Sequence, residues 1–223
     1  MVTLRQVRQG QGRAMAGNEL AARFIAIIGK TGCGKSTELK RRLGQKRRKR
    51  TLIWSPKERI DNYAALFSGS VICRTTLEVL DVVKAAGKGG GFHVVFVPSL
   101  DRARDERAFS TVCKIALEAG NLTMICEELH SVTKPSHAPH GWALVNFMGR
   151  GLGLEVFGLS QRPASVDKAF MGSLSELWVG ELPYPEDREV IAKTLGVSVA
   201  EIEALHGYKS IHKDMATRKI TKK

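Results

Sequence analysis

Residues 23–28 read RFIAII and residues 29–36 read GKTGCGKS. The first stretch is too short for a helix and rich in β-branched side chains, so it is expected to be a buried strand. The glycines that follow bend the backbone sharply at the strand's carboxyl end. They do so in a way that lets several N–H groups point inward around an anion. A helix beginning near Lys35 adds the positive end of its dipole. The pattern GxxxxGK[ST] in this strand–turn–helix context is a cradle for phosphate. Its members are Gly29, Lys30, Thr31, Gly32, Cys33, Gly34, Lys35, Ser36 and Thr37. Lys35 is placed to reach the outer phosphates of ATP, and the Ser36 hydroxyl to take Mg²⁺.

The rest of the chain alternates strand and helix patterns. Strands are expected at 50–56, 70–75, 92–98, 122–129, 154–163 and 175–182, and helices after the glycine turn and at 76–91, 101–121, 141–153 and 185–196. Such alternation implies an α/β fold with a mainly parallel sheet and helices on both faces. The 223 residues suffice for one such domain. The expected division is an arm over 1–21, the nucleotide-binding domain over 22–205, and a basic carboxyl-terminal tail over 206–223. No apolar run approaches the ~20 residues needed to span a bilayer, and the first residues lack the apolar centre of a signal peptide. A soluble protein of the cytosol, without direct membrane insertion, is expected. Cysteines at 33, 73, 113 and 126 form no CxxC pair and read as small buried thiols. His130, His137 and His140 lack the companions that would complete a zinc site.

Charge is unevenly spread. Residues 1–50 carry 14 Lys/Arg against 2 Asp/Glu, and residues 206–223 carry 6 against 1, while the middle is slightly acidic. Basic ends suggest a polyanionic partner. The run KRRLGQKRRKR at 40–50 concentrates the charge, and Lys46, Arg47, Arg48, Lys49 and Arg50 are the candidate contacts. Clustered Lys/Arg bind duplex DNA without regard to sequence, and the run lacks the aromatic side chains on which single strands stack. A solvated helix face is the competing reading.

Two further stretches carry chemistry. In LTMICEELH (122–130) an apolar strand delivers Glu127 and Glu128 at its carboxyl end, where parallel sheets place their ligands. The first acid can hold Mg²⁺ and the second can polarise a water, a pairing that favours steady ATP hydrolysis over a switch. In GRGLGLEVFGLSQRP (149–163), Gln161 and Arg162 end a strand at Pro163, and Arg150 precedes it. A glutamine there can sense the γ-phosphate, and an arginine can reach a neighbouring subunit's nucleotide. A small-molecule phosphotransferase and a nucleotide-dependent scaffold share the phosphate loop and are the alternatives.

Taken in order, GKTGCGKS, ICEELH and GRGLGLEVFGLSQRP resemble the FtsK–HerA superfamily of ring-forming DNA-pumping ATPases. The small size resembles its viral branch, the genome-packaging ATPases of tailless, membrane-containing icosahedral phages of the tectivirus type. The resemblance spans about residues 22–182. It implies a P-loop NTPase of RecA/FtsK-like fold that hydrolyses ATP with Mg²⁺ and moves double-stranded DNA into a preformed capsid. It also implies a ring-shaped homo-oligomer, a hexamer, meeting other proteins at a virion vertex, and residence in the host cytoplasm and the virion. By the same resemblance Lys35 and Ser36 hold phosphate and metal, and Glu127 is the metal-side acid. Glu128 is then the catalytic acid, Gln161 the sensor and Arg150 the inter-subunit finger, with Arg162 the other candidate. The superfamily often has Asp-Glu where this chain has Glu127-Glu128, and the longer acid can act through a water.

Overall fold

The computed structural model describes residues 22–223. The expected arm over 1–21 lies outside them. The first apolar run becomes β1 (Phe24–Ile28), buried along its whole length. Phe24, Ala26 and Ile28 enter one core and Ile25 and Ile27 the other. That two-sided burial explains an apolar run where a half-exposed strand would alternate. After the glycine turn comes α1 (Lys35–Leu43), whose Leu39 and Leu43 cover the Ile25 face.

The chain continues through β2 (Arg50–Trp54), α2 (Glu58–Asp61), β3 (Val71–Cys73), α3 (Thr76–Ala86), β4 (Phe92–Phe96) and α4 (Arg102–Ala119). Then follow β5 (Thr123–Cys126), α5 (His140–Met148), β6 (Glu155–Ser160), α6 (Lys168–Gly172), β7 (Glu176–Val179), α7 (Pro185–Leu195) and α8 (Val199–Glu203). The helix ends follow from local chemistry. Thr75 and Glu78 form a capping box at the start of α3. Asp101 caps α4, and Pro185 opens α7, which Gly196 closes in a left-handed conformation. α4 and α5 cover the Phe24 face, where Phe109 and Trp142 pack against Trp54 and Phe170.

The strands form one sheet in the order β3-β4-β2-β5-β6-β1-β7, continued past β7 by β8 (Ile211–Asp214) and then β9 (Ile220–Lys222). β1 to β7 are parallel, with β1 between β6 (Ile28 opposite Ser160) and β7 (Ile28 opposite Val179). The carboxyl ends of β1, β2, β5, β6 and β7 therefore open onto one edge, where an α/β sheet binds its ligand. The carboxyl-terminal residues differ from the expected tail. β8 pairs antiparallel with β7, and β9 pairs with β8. The hairpin is anchored because Ile211 is buried and Glu176 of β7 accepts from His212 at 3.0 Å. All four cysteines are buried and free, and Trp54, Trp142 and Trp178 are core residues. Among the described residues no helix is long and apolar enough to cross a membrane.

Candidate nucleotide site

The loop after β1 closes tightly on itself. Gly29 has φ +150, and a Cβ there would stand 2.5 Å from Cys33 Sγ, so a side chain at 29 would force the loop open. Inside the turn, Lys35 Nζ donates to the Gly29 and Lys30 carbonyls at 2.7 and 2.9 Å. Burial lowers the affinity of this amine for its proton, and Glu127 and Glu128 nearby oppose that effect. Burial pushes the Cys33 thiol up, which keeps it a neutral packing group. The loop is held from the β7 side as well. Lys30 N–H donates to the Glu181 carbonyl at 2.8 Å, and Lys30 Nζ pairs with the Glu181 carboxylate at 2.6 Å.

Glu127 and Glu128 lie just past β5. Glu127 is pinned by its N–H bond to the Trp54 carbonyl at 3.0 Å. Its carboxylate is buried and accepts from the Tyr63 hydroxyl, which lies beside Ser36. Burial pushes Glu127 up to about 7, with Asp61 and Glu128 adding to the shift. Ser36 and Glu127, the two residues expected at the metal, thus share one neighbour. A buried carboxylate next to a hydroxyl and an anion cradle is a donor set that suits Mg²⁺, so the residues fit ATP with its metal.

Glu128 adopts a left-handed backbone conformation (φ +50), uncommon for a residue with a side chain. Its Oε1 accepts from Gln161 Nε2 at 2.6 Å and from Lys57 Nζ. Burial raises this carboxyl, and the bonds from Lys57 and Gln161 pull it down by more, so it ends below its ordinary value. Oε2 is buried and has no hydrogen-bond partner, with His130 Nδ1 3.4 Å away. Burial lowers His130 and favours its neutral form. Gln161 reaches in both directions, because its Oε1 accepts from Thr31 Oγ1 of the phosphate loop at 2.9 Å. A cleft of about 760 Å³ opens here, with Lys30, Lys57, Glu128, Gln161 and Arg162 among its walls. Arg162 is held at its mouth by Asp187 at 2.8 Å and by the Tyr184 ring, 4.1 Å from the guanidinium.

Other expected residues stand elsewhere. Arg150 is exposed at the amino edge of the sheet, its guanidinium 5.2 Å from the Phe24 ring and bonded to the Ser173 carbonyl. The length of β1 separates it from the loop of its own chain. The basic run is also not a uniform DNA face. Arg48 is buried, pairing with Glu155 at 3.0 Å and donating to the Leu43 carbonyl at 2.6 Å. Lys46 pairs with Glu155 at 3.0 Å, and Arg50 lies over Phe92 and donates to the Lys88 carbonyl at 3.1 Å. Buried acids at the amino ends of β6 and β7 draw these cations inward, and Arg42 likewise pairs with Glu38 and Glu176. Arg47 and Lys49 remain exposed.

Three site residues carried no recognised signal in the sequence. Lys57 had the best available one, standing just past the strand RTLIWSP on the edge where ligands bind. Tyr63 sits in a short irregular turn with nothing to mark it, and Glu181 follows a strand with only its position to suggest it.

Loop, acids and sheet together define the P-loop NTPase architecture, a mostly parallel sheet flanked by helices. Three solved structures share this fold. The genome packaging NTPase B204 from Sulfolobus turreted icosahedral virus 2, in complex with AMPPCP, superposes with a TM-score of 0.68 at 14% identity, covering 91% of this chain and 97% of that one. VirB4 of Thermoanaerobacter pseudethanolicus gives 0.63 at 13% identity over 85% and 86%. The bacterial conjugative coupling protein TrwBdeltaN70 gives 0.61 at 14% identity over 91% and 84%. At these identities the likeness is one of fold. No family model and no curated protein matches the sequence.

Proposed function

We propose that this chain is an ATP-hydrolysing motor of the FtsK–HerA type that moves double-stranded DNA, as the packaging ATPase of a tectivirus-type virus working at a capsid vertex. The observation that carries the reading is the hydrogen-bond chain Thr31–Gln161–Glu128. It joins the loop that grips the outer phosphates to the acid that would activate water, through a residue at the end of β6. Release of the γ-phosphate would then be felt by a strand at the centre of the sheet, which is what coupling hydrolysis to movement requires.

In this reading the loop amides and Lys35 hold the triphosphate, and Ser36 and Glu127 would hold Mg²⁺. The metal supplies neutralisation of phosphate charge. Gln161 and Lys57 orient Glu128 through Oε1. The Glu128 carboxylate would take a proton from the attacking water as that water's oxygen bonds the γ-phosphorus and the bond to ADP breaks. Arg150, on the far edge from its own loop, would serve only the nucleotide of a neighbouring copy. A head-to-tail ring, six subunits in this proposal, provides such a neighbour. Arg162 faces its own cleft. Among residues 46–50, Arg47 and Lys49 are the exposed cations offered to duplex phosphates. The shared fold of B204 and TrwB, a packaging NTPase and a conjugative coupling protein, supports a role in DNA transport. Host cytoplasm and virion are the proposed locations.

The test is ATP hydrolysis by the purified chain, with and without duplex DNA, across a range of protein concentrations. The proposal expects stimulation by DNA and a rate that rises faster than linearly with protein, because sites are shared between copies. A rate blind to DNA and linear in protein would refute the motor. Turnover that required a small acceptor would identify a phosphotransferase instead.

A further inference from the structure

Along the carboxyl edge of the sheet, the phosphate loop stands between β6 on one side and β7 and β8 on the other. The groups suited to act on the outer phosphates lie on the first side, with Gln161 after β6 and Glu128 after β5. On the second side lies the turn leading into β8, which carries Tyr208 with 82% of its surface exposed. Exposure alone means little for a tyrosine. The position is what singles it out. A Cβ built on Gly34, the residue that opens α1, would lie 3.6 Å from Tyr208 Cδ1. The ring therefore stands beside the loop backbone, about one carbon atom's width away, and the missing side chain of residue 34 leaves that space open.

The turn is fixed to the loop it touches. Gly207 N–H donates to Glu181 Oε2 at 3.0 Å, while Glu181 Oε1 pairs with Lys30 at 2.6 Å. Lys209 N–H closes the turn on the His206 carbonyl at 3.2 Å, and Val179↔Ile211 pairing ties β8 to β7.

We infer that Tyr208 is the platform on which the base of the bound nucleotide stacks. The inference rests on the reading of the loop as an ATP site. If the γ-phosphate points toward Gln161 and Glu128, the nucleoside must leave the loop on the opposite side, toward β7 and β8. There it meets an exposed aromatic face held in place by backbone pairing. Stacking uses the π-face that every base has, so the platform confers affinity with little choice between purines. The basic end of the chain is thus part of the nucleotide site.

Equilibrium binding of a non-hydrolysable ATP analogue, the matching GTP analogue and inorganic tripolyphosphate separates the possibilities, using the full chain and its Tyr208→Ala and Tyr208→Phe variants. The expected result is that Tyr208→Ala binds both nucleotides about tenfold more weakly, as loss of one stacked base implies. Tripolyphosphate binding should be unchanged in that variant, and Tyr208→Phe should bind all three like the parent. Equal loss of nucleotide and tripolyphosphate would overturn the platform, showing a ring that merely props the loop. Unchanged nucleotide binding in Tyr208→Ala would overturn it too, leaving the ATP reading intact. If the parent chain binds neither nucleotide nor tripolyphosphate, the ATP reading itself fails and the platform falls with it.

Discussion

Replacing Arg48 with methionine should destabilise the protein rather than weaken the proposed binding of duplex DNA. The Arg48 side chain is 2% exposed and that of Glu155 is 0% exposed. Arg48 Nη2 and Nε meet Glu155 Oε2 at 3.0 and 3.1 Å, and Nε also reaches Thr123 Oγ1 at 3.2 Å. Removing one partner of a buried pair costs about 3–5 kcal/mol, because the other charge stays buried. Lys46 and Arg23 still contact Glu155 Oε1 at 3.0 and 3.5 Å, which puts the loss at the lower end, about 3 kcal/mol. For a domain of this length that is a fall in Tm of about 6–12 °C.

The pH dependence gives a second handle on Arg48. Burial alone raises the Glu155 carboxyl, and Arg48 and Lys46 pull it below its ordinary value. A carboxyl with a depressed folded-state pKa contributes stability above its unfolded pKa, about 4.3, and loses it as pH falls through the folded value. Without Arg48 the strongest pull that lowers Glu155 is gone, and the carboxyl takes up its proton at higher pH. The Tm gap between the parent and Arg48→Met should therefore be widest near neutrality and close on acidification. Thermal melts from pH 7 to pH 4, with duplex binding measured alongside, check this. An unchanged Tm together with weakened duplex binding would refute the reasoning and return Arg48 to the surface.

Arg47→Ala with Lys49→Ala should lower the slope of log affinity for duplex DNA against log salt by about 2, with stability within about 0.5 kcal/mol of the parent. An unchanged slope would show that both cations are simply solvated. Glu128→Gln should bind ATP and hydrolyse it at least about 10²-fold more slowly, and normal turnover would remove Glu128 from its proposed role. Tyr63→Phe should cost about 1–3 kcal/mol in a thermal melt by taking away the hydroxyl that Glu127 accepts from, and an unshifted melt would show that the bond contributes nothing.

Most of the sheet was legible because its strands are buried on both faces and so written as unbroken apolar runs. FIAII, TLIW and FHVVF announce themselves whatever surrounds them, and α3, between the last two, opens on a capping box. The phosphate loop was legible because its glycines meet a local backbone requirement. What stayed hidden depends on partners distant in sequence. Arg48 reads as one cation among eight, and only Glu155, 107 residues away, turns it inward. The hairpin IHKD and ITK is polar and short. Its strand conformation comes from β7 lying alongside, not from its own pattern. Tyr63 owes its place to Glu127, which it meets across 64 residues. Arg150 precedes β6 by a few residues yet stands at the end of the sheet away from the loop, a separation that sequence proximity conceals.

The nine-stranded sheet is open, and an open sheet offers two rows of unpaired amides and carbonyls to any passing strand. Here both margins are blunted. β3 is only three residues long. β9 carries Lys222 and is flanked by Lys219 and Lys223, and Lys222 reaches back to Glu201 at 2.6 Å. Another chain adding a strand there would gain few hydrogen bonds at the first margin and crowd ammonium groups at the second. Pairing of two copies edge to edge is therefore disfavoured at both margins of the described sheet.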